Sequence, residues 1–167
     1  MTTDVINKIK DADMILIGIG EEMAQDNANS DELITFYNKL GETLKDKNYF
    51  VVSINQDTII YDSNLSPDYI TTPYSDKESI SPEGVDKQWD KYMKWLSCTL
   101  NRKLLVMEFG VLLSKPNVIR WPFERVVMLN EKSHLIRINN TIPQLPSELS
   151  ARATSIKDNP LYFFDSI

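Results

Sequence analysis

The stretch 14-MILIGIGEEMA-24 sets the reading of the whole chain. Its apolar run, Met14 to Ile17, has the continuity of a buried strand and stops at Gly18-Ile19-Gly20. Two glycines separated by one residue at a strand end clear space for close backbone approach, often that of a phosphate. Yet Glu21 and Glu22 follow at once. Acids in a first helical turn gain roughly 0.3 to 1 kcal/mol each from the helix dipole. Against a diphosphate at about 6 Å and an effective dielectric near 20, one such charge costs roughly 3 kcal/mol, about a hundredfold in affinity. Three outcomes stay open: the side chains turn to water and the anion still binds, they accept hydroxyl groups instead, or the pocket takes no anionic ligand.

Working outward, Thr3 is an N-cap for a helix carrying Val5, Ile6 and Ile9 at helical spacing. From Ser30, Leu33, Phe36, Tyr37, Leu40 and Leu44 share one helical face, with Asp31 and Glu32 in the first turn. The run YFVVSI, 49–54, is a second strand stopped by Asn55, and TII, 58–60, is a candidate continuation. Residues 62–86 hold three prolines among many Ser, Thr and Asp, so a long irregular excursion is expected there. Ser81-Pro82-Glu83 is a helix start, followed by a stripe of Trp89, Met93, Leu96 and Leu100 that runs to about Asn101. KLLVMEF, 103–109, and HLIRIN, 134–139, read as strands; PFERVVMLN, 122–130, SELSARA, 147–153, and NPLYFF, 159–164, read as helices. The alternation gives an α/β fold, a doubly wound and mostly parallel Rossmann-like sheet.

At 167 residues the chain is expected to form one domain over 1–167. No apolar run approaches a membrane span and no signal pattern opens the sequence, so a cytoplasmic protein without a membrane partner is expected. The single cysteine, Cys98, allows neither an internal disulfide nor a multi-thiolate zinc site, which leaves an organic cofactor and no zinc as the expectation. With 24 acids, 18 bases and a net charge of −6, nucleic acid is not an expected partner. Cys98 reads as a small half-buried residue, Trp89 and Trp95 as packing residues, and His134, before a strand's amino end, as structural.

In an open α/β sheet ligands gather beyond the carboxyl ends of the strands. Four corners qualify: Gly18-Ile19-Gly20, Asn55-Gln56-Asp57, Glu108-Phe109-Gly110 and Asn139-Asn140. Each alone has a plain explanation, since a Gly-x-Gly is often just a tight turn and Asn or Asp closes corners through its own side chain. Their joint placement describes a nucleotide crevice. Arg120 either meets a phosphate or pairs with Glu124 one turn on.

The segments ADMILIGIGEE, YFVVSINQD, LLVMEFGVLL and LIRINN resemble, in order, the nucleotide-binding segments of sirtuins, NAD-dependent protein deacylases. The similarity covers most of the chain. NRKLLVMEFG, VIRWPFE and LIRINNTIPQLP are similar to the bacterial macrodomain-linked branch, which transfers ADP-ribose. The resemblance implies the NAD-binding fold shared with deoxyhypusine synthase, without the zinc ribbon. It sets Gly18 and Gly20 along the NAD diphosphate, with Glu22 where the family has serine. It sets Asn55 and Asp57 around nicotinamide and its ribose, although Ile54 replaces the expected glutamine. Gly110 lies near the Gly-Thr-Ser segment without its hydroxyls, and Ile138-Asn139 match the pair on the adenosine ribose.

The family's catalytic His-Gly falls opposite Tyr74-Ser75, and a phenol of pKa near 10 is a poor base for a task suited to an imidazole near 6.5. The acyl-peptide loop and the four zinc cysteines are also absent. The expectation is a sirtuin-like NAD- or ADP-ribose-related binding module, sensing a nucleotide or meeting a protein partner, without ordinary deacetylase activity. The alternative is an NAD-consuming glycohydrolase, ADP-ribosyltransferase or deacylase, with Asn55, Asp57 and Tyr74 as its catalytic candidates.

Overall fold

The computed structural model of the chain describes residues 2–75 and 84–167, so the helix start at Ser81-Pro82-Glu83 lies outside the described residues. Six strands form one all-parallel sheet: β1 (Met14–Ile19), β2 (Asn48–Ser53), β3 (Ile70–Thr71), β4 (Leu104–Phe109), β5 (His134–Ile138) and β6 (Ala153–Ile156). Their order, β3-β2-β1-β4-β5-β6, is that of a Rossmann-like doubly wound fold. The chain winds outward from β1 to β3, crosses back, and winds outward again from β4. The crevice of such a sheet therefore lies beyond Ile19 and Phe109, which are register partners.

Every residue of β1 and β4 is buried, as expected for central strands covered on both faces. One face carries Ile15, Ile17 and Ile19 against the helices α1 (Thr2–Asp11) and α2 (Ser30–Thr43) and the C-terminal Phe163 and Phe164. The other carries Met14, Leu16, Leu104 and Val106 against α3 (Val85–Ser97) and α4 (Arg120–Leu129). Asn29 caps α2, its side chain accepting from the Asp31 amide at 2.8 Å, one residue before the expected start. Gly18 points toward α4, where an added Cβ would lie 2.6 Å from Ile119 and 2.8 Å from Phe123. Its lack of a side chain lets that helix sit on the sheet.

Local expectations at four places are corrected or refined. TII does not extend β2; Ile59–Asp62 is a 3-10 turn, started by Asp57 Oδ1 accepting from the Ile59 amide. Within the irregular 62–86 excursion, Ile70 and Thr71 pair with Val51 and Val52 as an edge strand. The helix expected over 147–153 is a 3-10 turn, Ser147–Leu149, that gives way to β6 on β5. NPLYFF is also a 3-10 helix, Pro160–Asp165. Among the described residues no helix is long and apolar enough to cross a membrane.

Candidate functional site at the carboxyl edge

The loops after β1, β2, β4 and β5 converge at one edge, and the acids that follow the glycines are central to their meeting. Glu21–Met23 form a short 3-10 turn whose last residue is fully buried. The Glu21 carboxylate turns to the β4 loop, accepting the Leu112 amide at 2.7 Å, the Ser114 amide at 3.1 Å and the Ser114 hydroxyl. The Glu22 carboxylate turns to the β5 loop, accepting the Asn140 and Thr141 amides, each at 3.0 Å, and the Thr141 hydroxyl. Neither carboxylate is simply turned out to water, and neither serves only its own turn. Each fills a concavity of two backbone N–H groups and one hydroxyl, an arrangement suited to an anion.

Gly20 and Gly110 allow this closure. A Cβ on Gly20 would lie 2.2 Å from Val111 Cα and 2.5 Å from the Gly110 carbonyl oxygen. Gly110, at φ +63°, is in the left-handed region and faces Glu22, whose Cβ would be 2.5 Å away. The Gly20 amide donates to Phe109 O at 2.9 Å, and the Glu22 amide to Gly110 O at 3.0 Å. The space the two glycines open is therefore occupied by the chain's own backbone and Glu22.

The other expected site residues hold the loops. Asn55, buried, donates from Nδ2 to Gly20 O at 3.0 Å. Asp57 accepts the Gln25 amide at 3.1 Å, tying the β2 corner to the loop after β1. Asn139, fully buried, donates to Val111 O at 2.8 Å and accepts the Thr141 and Ile142 amides at 2.9 and 2.7 Å. Tyr74 reaches this edge through Lys115, whose ammonium stands 4.5 Å from its ring centroid.

Of the charged layer beneath the loops, only the pairing of Arg120 with Glu124 was among the expectations from the sequence. Arg137 on β5 and Glu108 on β4 are register partners with fully buried side chains, bonded at 2.7 and 3.2 Å. Arg137 also donates to Glu124 at 2.8 Å and to Gln144 O at 2.6 Å. Arg120 lies 3.7 Å from Glu124 and spends its donors on the carbonyls of Val111, Ile142 and Gln144. Its guanidinium is thus committed within the protein. Burial raises the Glu108 carboxyl above its ordinary range, against the pull of Arg137. The signal was one charge inside each of two apolar runs, LLVMEF and HLIRI, which become neighbours only once the parallel register is known.

What stays open is a polar hollow of about 450 Å³ over the ends of β1 and β2, lined among others by Asp26, Asn55, Gln56, Asp57 and Lys115. Within the described residues the side chains of Asp26 and Gln56 have no partner. A hollow of about 530 Å³ lies at the opposite, amino edge beside Lys8, Lys132, His134 and Arg152. The first is the better candidate, because ligands of open α/β sheets bind beyond the carboxyl ends. Among the described residues no group of three His, Cys, Asp or Glu side chains is placed to hold a metal ion.

His134 pairs with Thr154 Oγ1 at 2.8 Å at the amino edge. Burial first, then Lys8, lower its pKa from 6.5 to about 4, with Asp4 opposing and Arg152 assisting. The unfolded chain thus binds this proton at higher pH than the folded one. The stability it contributes is complete above 6.5 and is lost as pH falls toward about 4. Partial exposure keeps the effect below the full linkage value. His134→Gln is expected to flatten the decline of the thermal midpoint across that window; parallel pH profiles for variant and wild type would refute this.

No family model matches the chain, and no curated protein matches it.

Proposed function

We propose that the protein is a sirtuin-like binding domain for NAD- or ADP-ribose-related ligands, without ordinary protein deacetylase activity. The observation that carries this reading is the polar hollow of about 450 Å³ at the carboxyl edge of a Rossmann-like sheet. Its size falls in the roughly 300–1,000 Å³ range of small-molecule sites. The uncommitted Asp26 carboxylate and Gln56 amide suit ribose hydroxyls and a carboxamide, as acceptor and as donor-acceptor respectively.

A diphosphate does not fit the edge as it stands, because Glu21 and Glu22 fill its anion-binding concavities. Three acidic residues, Glu21, Asp26 and Asp57, and one basic residue, Lys115, line the hollow. The nucleoside part of the ligand is therefore the part recognised. Tyr74 is exposed at this edge, with the Lys115 ammonium 4.5 Å from its ring centroid.

Calorimetry with adenosine, nicotinamide riboside, NAD and ADP-ribose tests the reading. The nucleosides are expected to give saturable heats, with NAD no tighter than its better nucleoside half. Gln56→Ala is expected to weaken binding about fivefold, the loss of one hydrogen bond of about 1 kcal/mol. No heat from any of the four would reject the proposal. Steady nicotinamide release from NAD would replace it with the NAD-consuming reading.

A further inference from the structure

We propose that Glu21 and Glu22 are built-in substitutes for a ligand's oxyanions, and that the two concavities they fill accept a phosphate or carboxylate from solution once the side chains are removed. Both carboxylates use both oxygens, and their donors lie 91 to 93 and 118 to 119 residues along the chain. Local helix capping therefore does not account for them. The donors are backbone N–H groups backed by one hydroxyl, Ser114 in one case and Thr141 in the other. Converging amides of this kind, successive at Asn140 and Thr141 and one residue apart at Leu112 and Ser114, bind anions without regard to what carries the charge.

The concavities are also held in shape by contacts that do not involve the glutamates. In the β5 loop, Asn139 Oδ1 fixes the Thr141 and Ile142 amides, while Arg120 and Arg137 hold the carbonyls of Ile142 and Gln144. In the β4 loop, Val111 O receives both Arg120 and Asn139. On the other side, the short turn carrying the acids is anchored by fully buried Met23 and by backbone bonds to Gly20 O and Gly110 O. Removing a carboxylate thus leaves donors that remain aimed at its place. Because Glu21 and Glu22 are adjacent, the two concavities flank one short turn, Glu21 reaching the β4 loop and Glu22 the β5 loop.

The inference deepens the proposed function at the same edge but is read by different probes. The experiment follows thermal unfolding of wild type, Glu21→Ala, Glu22→Ala and the double variant in sodium acetate, sodium pyrophosphate and sodium chloride at matched ionic strength. Each variant is expected to melt below wild type and to recover part of the loss in acetate or pyrophosphate but not in chloride, while wild type responds to none of them specifically. Pyrophosphate is expected to act best on the double variant. Recovery no greater than that in chloride, or equal gains in wild type, would overturn the proposal. Should the alanine variants fail to fold, Glu22→Ser also empties the concavity while keeping a hydroxyl on the turn, and its calorimetric affinity for pyrophosphate is expected to exceed that of wild type by at least about tenfold. No rise there would equally overturn it. Nucleoside binding without anion rescue removes this inference alone; anion rescue without nucleoside binding removes only the reading of the hollow.

Discussion

Replacing Arg137 by methionine is expected to cost about 3–5 kcal/mol of folding stability, the penalty for leaving a buried charge without its partner. Glu108 and Arg137 are both fully buried, so neither recovers solvation when the other is lost. The guanidinium also serves Glu124 and the Gln144 carbonyl, and its removal frees the β5 loop as well as the strand. Against a typical domain stability of about 5–15 kcal/mol, the variant sits near the edge of folding. The double variant Arg137→Met, Glu108→Met should recover more than half of the loss, since apolar pairs of similar volume replace buried ion pairs at little cost. Urea denaturation of the wild type, the two single variants and the double variant closes the cycle. A loss below about 1 kcal/mol for Arg137→Met would place it with exposed pairs and refute the buried-pair account.

The second large effect is expected from Gly20→Ala. The added methyl would meet three backbone atoms, at 2.2 Å from Val111 Cα, 2.5 Å from Gly110 O and 2.6 Å from Val111 N. Loop backbone pinned directly to the ends of central strands, as Gly110 is by its bond to Ile138 O, does not give way as a side chain does, so the cost is expected at or above the upper end of the roughly 1–3 kcal/mol typical of overpacking. Gly18→Ala meets only the side chains of Ile119 and Phe123, and a smaller loss within that range is expected. Denaturation without any ligand separates two roles for the first turn. If Gly20 serves packing of the β1 loop on the β4 loop, stability falls; if it serves only the approach of a ligand, stability holds and affinity alone falls.

The central sheet was legible because its strands are continuous apolar runs ended by Gly or Asn, a pattern that survives without knowledge of partners. The gathering of the four corners was legible for a related reason: in a parallel sheet every strand end faces the same edge, so Gly20, Asn55, Gly110 and Asn139 had to meet there. Their contacts were not legible. Glu22 finds Thr141, and Glu21 finds Ser114, across chain separations that carry no local period. The Glu108–Arg137 pair was hidden in the same way, since it depends on a register one strand over. The edge strands escaped for another reason: Ile70–Thr71 is too short to show alternation, and Ala153–Ile156 is only partly covered, so neither has the apolar signature of the centre.

Those same outer strands limit the pairing that the sheet offers to another chain. The sheet tapers from six-residue central strands to two residues on one flank and four on the other. An arriving chain finds very few open main-chain groups to bond with, so growth by strand addition and the fibrils it leads to are disfavoured.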